Sequence, residues 1–211
     1  MYQTTIEVDF KTAINWENTR LGNGRKFGPY AYHQIVMDCM LGGKNDTCPV
    51  FNVVCDNGIR FIVNSDYEPA KTESDMYTVS TKKVDPIFGD TFQVRIAEVG
   101  KSSVGKKGER KVGADGKKRC YSMWMSSYVK GGDVKKYVVE KKIVPIFDGI
   151  ATVISSERSD EEMYSDPFKP GMNIPTAVYT IKLDKAVKLS DYMTSAIGRN
   201  KFLGIGCIVP M

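Results

Sequence analysis

At 211 residues the chain is longer than one ordinary domain and fits two of about 100 residues each. Its 42% hydrophobic and 26% charged residues exclude disorder over most of its length, and no apolar run approaches the ~18–20 residues that span a bilayer. The net charge of +5 is uneven: Arg95 to Lys142 holds 14 Lys/Arg against 5 Asp/Glu, a local +9, and the remainder is mildly acidic. Such a basic middle points to a polyanion-binding surface, against the plainer reading of a solvated loop.

Along the chain, Tyr2 to Phe10 alternates polar and apolar residues, as a half-buried strand does. It has no basic stretch followed by an apolar core, so no signal peptide is expected there, and the expected compartment is the cytoplasm. Gly22 to Gly28 reads as a loop, and Pro29 opens a helix that Gly42-Gly43 stops. Its apolar stripe is Tyr32, Ile35, Val36, Cys39 and Met40. Val50–Cys55 and Ile59–Val63 form a hairpin about Asp56-Asn57-Gly58. Tyr67 to Lys83 is ambiguous between a short helix and an irregular connection. Thr91 to Val99 reads as a fourth strand. This order is the split βαβ pattern of a ferredoxin-like domain.

The Gly- and Lys-rich stretch from Gly100 to Gly116 reads as a linker or mobile hairpin. Beyond it we expect a helix over Tyr121–Lys130, a β-rich run over Lys136–Ser155 and a loop over Ser156–Pro175. A strand over Thr176–Leu183 follows, then a helix over Leu189–Ile197 capped by Ser190, and a last strand over Gly204–Val209. The fold class is therefore α+β: two tandem ferredoxin-like (RRM-like) βαββαβ domains, the second degenerate. The boundaries are 1–99 for the first domain, 100–118 for the basic linker or hairpin, and 119–211 for the second domain.

Five scattered cysteines and a single histidine, His33, offer no credible metal cage or disulfide framework, and no cofactor is expected. At 100° per residue Tyr30, His33 and Met37 share one line at the edge of the helix's buried stripe. Histidine is suited to proton transfer near neutral pH, and a tyrosine hydroxyl can orient a phosphate. A lone histidine on a helix edge is also commonly structural, and spacing alone leaves both readings open. The segment from Ala196 to Gly206 carries Gly198, Gly204 and Gly206 with Arg199 and Lys201. Glycines permit close approach to an anion, and the two cations could hold a phosphate; the same glycines could serve packing alone. Tyr121, Trp124, Tyr128 and Tyr137 could stack on bases or belong to the core.

The run Gly28-Pro-Tyr30-Ala-Tyr-His33-Gln-Ile-Val36, the basic stretch Lys101–Arg119, and Gly198-Arg-Asn-Lys-Phe-Leu-Gly204-Ile-Gly206 together resemble the CRISPR repeat-RNA endonucleases. The nearest kind is the type I-E CasE subunit, within the Gly-loop superfamily of repeat-associated proteins. That family often has one more glycine ahead of the loop, where this chain has Ala196. The resemblance implies a metal-independent endoribonuclease that binds the stem-loop of precursor CRISPR RNA and cuts at the base of the stem. Attack by a 2′-hydroxyl leaves a 2′,3′-cyclic phosphate and a 5′-hydroxyl. His33 and Tyr30 would be catalytic. Lys101, Lys106, Lys107, Arg110, Lys111, Lys117, Lys118, Arg119, Arg199 and Lys201 would bind RNA. The implied partners are the crRNA stem-loop and the other subunits of the Cascade surveillance complex, with no membrane. A non-catalytic RNA-binding subunit, a nucleotide-binding enzyme and a DNA-binding module are the competing readings, and the absence of a Walker lysine pattern disfavours the second.

Overall fold

The structure, a computed structural model, describes residues 1–25, 27–42, 48–55, 58–102, 121–124, 133–149, 151–165, 173–198 and 204–211. The first sheet is built from β1 (Tyr2–Val8), β2 (Phe51–Cys55), β3 (Ile59–Ser65) and β4 (Thr78–Lys83) in the order β2-β3-β1-β4, all antiparallel. The second is built from β5 (Phe88–Ala97), β8 (Ala151–Ser165), β9 (Asn173–Lys188) and β10 (Ile208–Pro210) in the order β10-β5-β9-β8. Numbered within its own half, each sheet runs fourth, first, third, second strand. That is the ferredoxin-like order twice over, as expected from the sequence.

The strand expected to close the first sheet lies in the second. β5 pairs with β9 and β10, and β1 has β4 at its other side, so the chain passes between sheets at residues 84–87. Strand pattern identifies a strand but not its neighbour. A ribbon of β6 (Val99–Ser102) and β7 (Tyr121–Trp124) follows, so residues 121–124 form a strand where a helix was expected. The rest of that expected helix lies outside the described residues.

Two further segments correct the sequence reading. Residues 134–147 are helical: α3 (Val134–Val138), a π turn (Val139–Ile143) and α4 (Val144–Phe147). The β-branched residues suggested a strand, yet Val138, Ile143 and Phe147 are buried at helical intervals, and Asp133 caps the start by accepting from the Lys136 N–H at 2.9 Å. Pro145 has no N–H for the turn before it, and the ladder there widens to the π pattern. The expected loop over 156–175 is largely sheet, because β8 reaches Ser165 and β9 starts at Asn173. The last helix is only α5 (Ser190–Met193); Leu189 precedes it, and the Ser190 hydroxyl accepts instead from the Ile87 N–H at 3.4 Å.

Each sheet buries its own core. In the first half, beyond the short α1 (Phe10–Ile14), α2 (Pro29–Leu41) lays Ala31, Ile35, Val36, Cys39 and Met40 on Ile6, Val8, Phe61 and Val63. Pro29 stands in its first turn and Gly42, at φ +61°, ends it. The second helix of the ferredoxin pattern is replaced by the irregular segment 66–77. Backbone N–H groups of Ala70 and Lys71 donate to the Met40 and Cys39 carbonyls, and the Lys71 ammonium and Tyr77 hydroxyl both bond buried Asp38, at 2.6 and 2.7 Å. In the second half Phe92, Ile96, Tyr179, Ile181, Ile143 and Phe147 form the core, with the Tyr179 hydroxyl donating to Glu98 at 2.8 Å.

Candidate nucleic-acid interface

Tyr30 and His33 lie one turn apart near the start of α2, and both are half-buried. Burial lowers the proton affinity of His33 below the ordinary value of 6.5, because the imidazolium loses water that the neutral ring does not need. At neutral pH the ring is therefore poised to accept a proton rather than already holding one.

The start of α2 is fixed by aromatic packing. Trp16, wholly buried, meets Phe27 edge-on at 5.7 Å between ring centroids; Phe27 meets Tyr32 at 5.5 Å, and Tyr32 meets Phe61 at 5.3 Å. Phe61 in turn contacts Phe51 at 5.9 Å. This string anchors Tyr32 in the core and leaves its helix neighbours Tyr30 and His33 on the flank, where a partner can be met.

The far end of the string reaches the glycine segment. A Cβ on Gly204 would stand 2.7 Å from Val53 Cγ2 and 2.9 Å from Phe51 Cε2, so only glycine lets this backbone lie against β2. Gly206 has φ +89°, donates to the Arg95 carbonyl at 2.7 Å and accepts from the Ile197 N–H at 2.8 Å; a Cβ there would collide with the Ile197 carbonyl. Gly198 has φ +88°. Asn64 on β3 adds a contact from its amide nitrogen to Cys207 Sγ at 3.9 Å. The glycine segment thus docks the second half onto the same sheet that carries α2.

Of the cations expected to bind RNA, Lys101 lies in β6; Lys106, Lys107, Arg110, Lys111, Lys117, Lys118, Arg119, Arg199 and Lys201 lie outside the described residues. Within the described part of the basic middle, Lys135, Lys136 and Lys141 are exposed on the α3–α4 segment. Lys136 is 3.7 Å from Glu140 in an exposed pair, which is weak in water. Tyr137 packs against the second core and is not a free stacking platform.

The sequence reading passed over Arg25. Its guanidinium carbon lies 4.3 Å from the centroid of the Tyr30 ring. The available signal was a cation in a glycine-bounded turn directly ahead of Pro29. Among the described residues no group of three or more His, Cys, Asp or Glu side chains could hold a metal ion, and no helix is long and apolar enough to cross a membrane. The Cys39, Cys48 and Cys207 thiols are each pushed up to about 12, in each case chiefly by burial, and stay protonated at neutral pH.

No protein-family model matches the chain, and no curated protein matches it in sequence. Solved structures do match in fold. The CRISPR-associated protein Cas6e from Escherichia coli str. K-12 superposes with a TM-score of 0.62 at 15% identity, over 100% of both chains. Thermus thermophilus Cse3, bound to an RNA representing a pre-cleavage complex, gives 0.57 at 9% identity, over 98% of this chain and 97% of that one. A chain of a CRISPR RNA-guided surveillance complex gives 0.53 at 11% identity, over 100% of both. From end to end, the chain has the CasE-like fold of these CRISPR-associated proteins: two ferredoxin-like domains in tandem.

Proposed function

We propose that this protein is an endoribonuclease of CRISPR RNA, which binds the stem-loop of the repeat and cuts once at the base of the stem without a metal ion. The observation that carries the reading is the pairing of half-buried His33 with Tyr30, one turn apart on the flank of α2. The fold shared with an RNA-bound Cse3 supports the substrate class. Neutral His33 takes the proton of the 2′-hydroxyl beside the scissile phosphate. The 2′-oxygen attacks phosphorus in line, the bond to the 5′-oxygen breaks, and that oxygen takes a proton from solvent. The products are a 2′,3′-cyclic phosphate and a 5′-hydroxyl. The Tyr30 hydroxyl positions the phosphate or the 2′-hydroxyl, so that bound RNA sits close to the attack geometry. The processed RNA then stays with the protein as part of a Cascade-type complex, a reading supported by the fold shared with the surveillance-complex chain.

The test uses end-labelled repeat RNA and the purified protein. Cleavage at one site, undiminished by excess EDTA and abolished by a single 2′-deoxy at the nucleotide before the cut, is the expected result. Tight binding of the unmodified repeat with no cleavage would replace this reading by that of a non-catalytic RNA-binding subunit.

A further inference from the structure

Arg25 sits in a closely hydrogen-bonded turn. The Asn23, Gly24 and Arg25 N–H groups donate to the Thr19, Glu17 and Gly22 carbonyls at 3.0, 2.8 and 2.9 Å. The Thr19 hydroxyl donates to the Trp16 carbonyl at 2.8 Å and accepts from the Gly22 N–H at 2.9 Å. Asn23 and Gly24 reverse the chain at φ +44° and +75°, and Trp16 is wholly buried beneath them. The turn is a hydrogen-bonded platform ahead of α2.

Two arginines leave that platform in different directions. Arg20 reaches the buried carboxylate of Asp38, at 3.9 Å. Arg25 is exposed and lies on the face of Tyr30, and among the described residues no carboxylate pairs with it. Stacking on an aromatic face holds a guanidinium flat while its edge N–H groups remain available to an anion.

We propose that Arg25 is a catalytic residue of the cleavage site, the cation that bonds the nonbridging oxygens of the scissile phosphate. This rests on the endoribonuclease reading above. As the bond from the 2′-oxygen to phosphorus forms and the bond to the 5′-oxygen breaks, negative charge grows on the two nonbridging oxygens. The fixed guanidinium meets that charge without reorganising. A lysine ammonium cannot lie flat on the ring and offer two parallel donors, so the role is specific to arginine.

The experiment compares wild type, Arg25→Met, Arg25→Lys and His33→Ala in single-turnover cleavage of the repeat. Binding is measured separately with the uncleavable 2′-deoxy repeat. Methionine keeps apolar cover on the Tyr30 ring and removes the charge. We expect Arg25→Met to cut ~10²–10³-fold more slowly, the size seen on removing one fixed donor to a developing oxyanion. Arg25→Lys should recover only part of that loss, and 2′-deoxy binding should change by less than about 3-fold in either variant. A sulfur in place of a nonbridging oxygen of the scissile phosphate should slow the wild type and slow Arg25→Met much less, a difference that a purely structural role would not produce. Arg25→Met cutting at the wild-type rate, or showing the same sulfur effect as wild type, overturns the assignment while inactive His33→Ala keeps the parent reading. A wild-type protein that binds the repeat without cutting overturns both.

Discussion

The two halves of the molecule carry the same strand order but fill its helix positions differently. In the N-terminal half the long helix, α2, is a continuous run of 13 residues, locked by an aromatic string to the sheet beneath it. In the C-terminal half the corresponding segment is broken by a π turn, and its outer surface presents lysines. The contrast suits the two tasks of the proposed function. Proton transfer needs groups held within tenths of an ångström, and a straight, anchored helix supplies that. Attraction of a polyanion needs charge density and tolerates looser placement. On the proposed function, precision belongs to one half and charge to the other.

The sharpest way to break this comparison is at His33. If proton transfer resides in the N-terminal half, His33→Ala should lose ~10²–10⁴-fold in single-turnover cleavage while 2′-deoxy repeat RNA binds nearly as before. The pH dependence follows from the sign of the shift. Burial lowers the folded-state value below 6.5, so the neutral, proton-accepting ring persists to lower pH than in a free histidine. The rate should therefore rise with pH along an acid limb whose midpoint lies below 6.5, then level off through neutrality. A rate that falls as pH rises through that limb would make His33 an acid in the reaction and not a base.

Asp38 tests what holds the N-terminal half together. The carboxylate is buried between the Lys71 ammonium and the Tyr77 hydroxyl, and it ties segment 66–77 to α2 where a second helix would otherwise pack. Asp38→Ala should destabilise the protein by about 3 kcal/mol in denaturant unfolding, the low end for a broken buried pair because Lys71 is partly hydrated. The Lys188–Asp191 pair of the C-terminal half is exposed on both sides, and Lys188→Ala should cost under about 1 kcal/mol. Equal effects from the two variants would remove the distinction.

Gly206 stands two residues beyond Gly204, the glycine that meets β2, and its own bonds run to Arg95 and Ile197 within the C-terminal half. Gly206→Ala places a Cβ against the Ile197 carbonyl at φ +89° and should cost roughly 2 kcal/mol through strain and overpacking. Unchanged stability would mean the glycine segment relaxes freely around Ile197.

What could be read from the sequence follows the same division. α2 was legible because Pro29, Gly42 and the spacing of Ile35, Val36, Cys39 and Met40 all agree. The β2–β3 hairpin was legible for similar reasons. β4 was not recognised as a strand, and most of β8 was read as loop. Both are edge strands. Edges carry polar and charged residues such as Thr78–Lys83 and Glu157–Glu162, so the alternation that marks a strand fades there. The helix from Val134 was masked by β-branched residues that tertiary packing overrode. At the candidate site, turn spacing drew attention to His33 and Tyr30 and the family resemblance proposed them as catalytic, and Arg25 was passed over. Its position over Tyr30 depends on a chain reversal at Asn23 and Gly24 that no periodicity encodes.

The smallest expected effect concerns the lysines of the C-terminal half. Lys135, Lys136 and Lys141 project from the broken helix in the region of greatest positive charge, and among the described residues only Lys136 of the three forms an ion pair, with Glu140. Each lysine that neutralises a phosphate releases a counterion on binding, which steepens the fall of affinity with salt. Replacing all three by alanine should weaken binding of the 2′-deoxy repeat and reduce the log–log salt slope by roughly 0.7–0.9 for each phosphate no longer neutralised. The cleavage rate at saturating RNA should stay at the wild-type value, because the groups on α2 are untouched. A changed rate at saturation would tie the lysines to the chemistry itself and erase the division between the halves. Unchanged affinity and slope would make this surface an ordinary solvated helix face and leave the attraction of RNA to cations elsewhere in the basic middle.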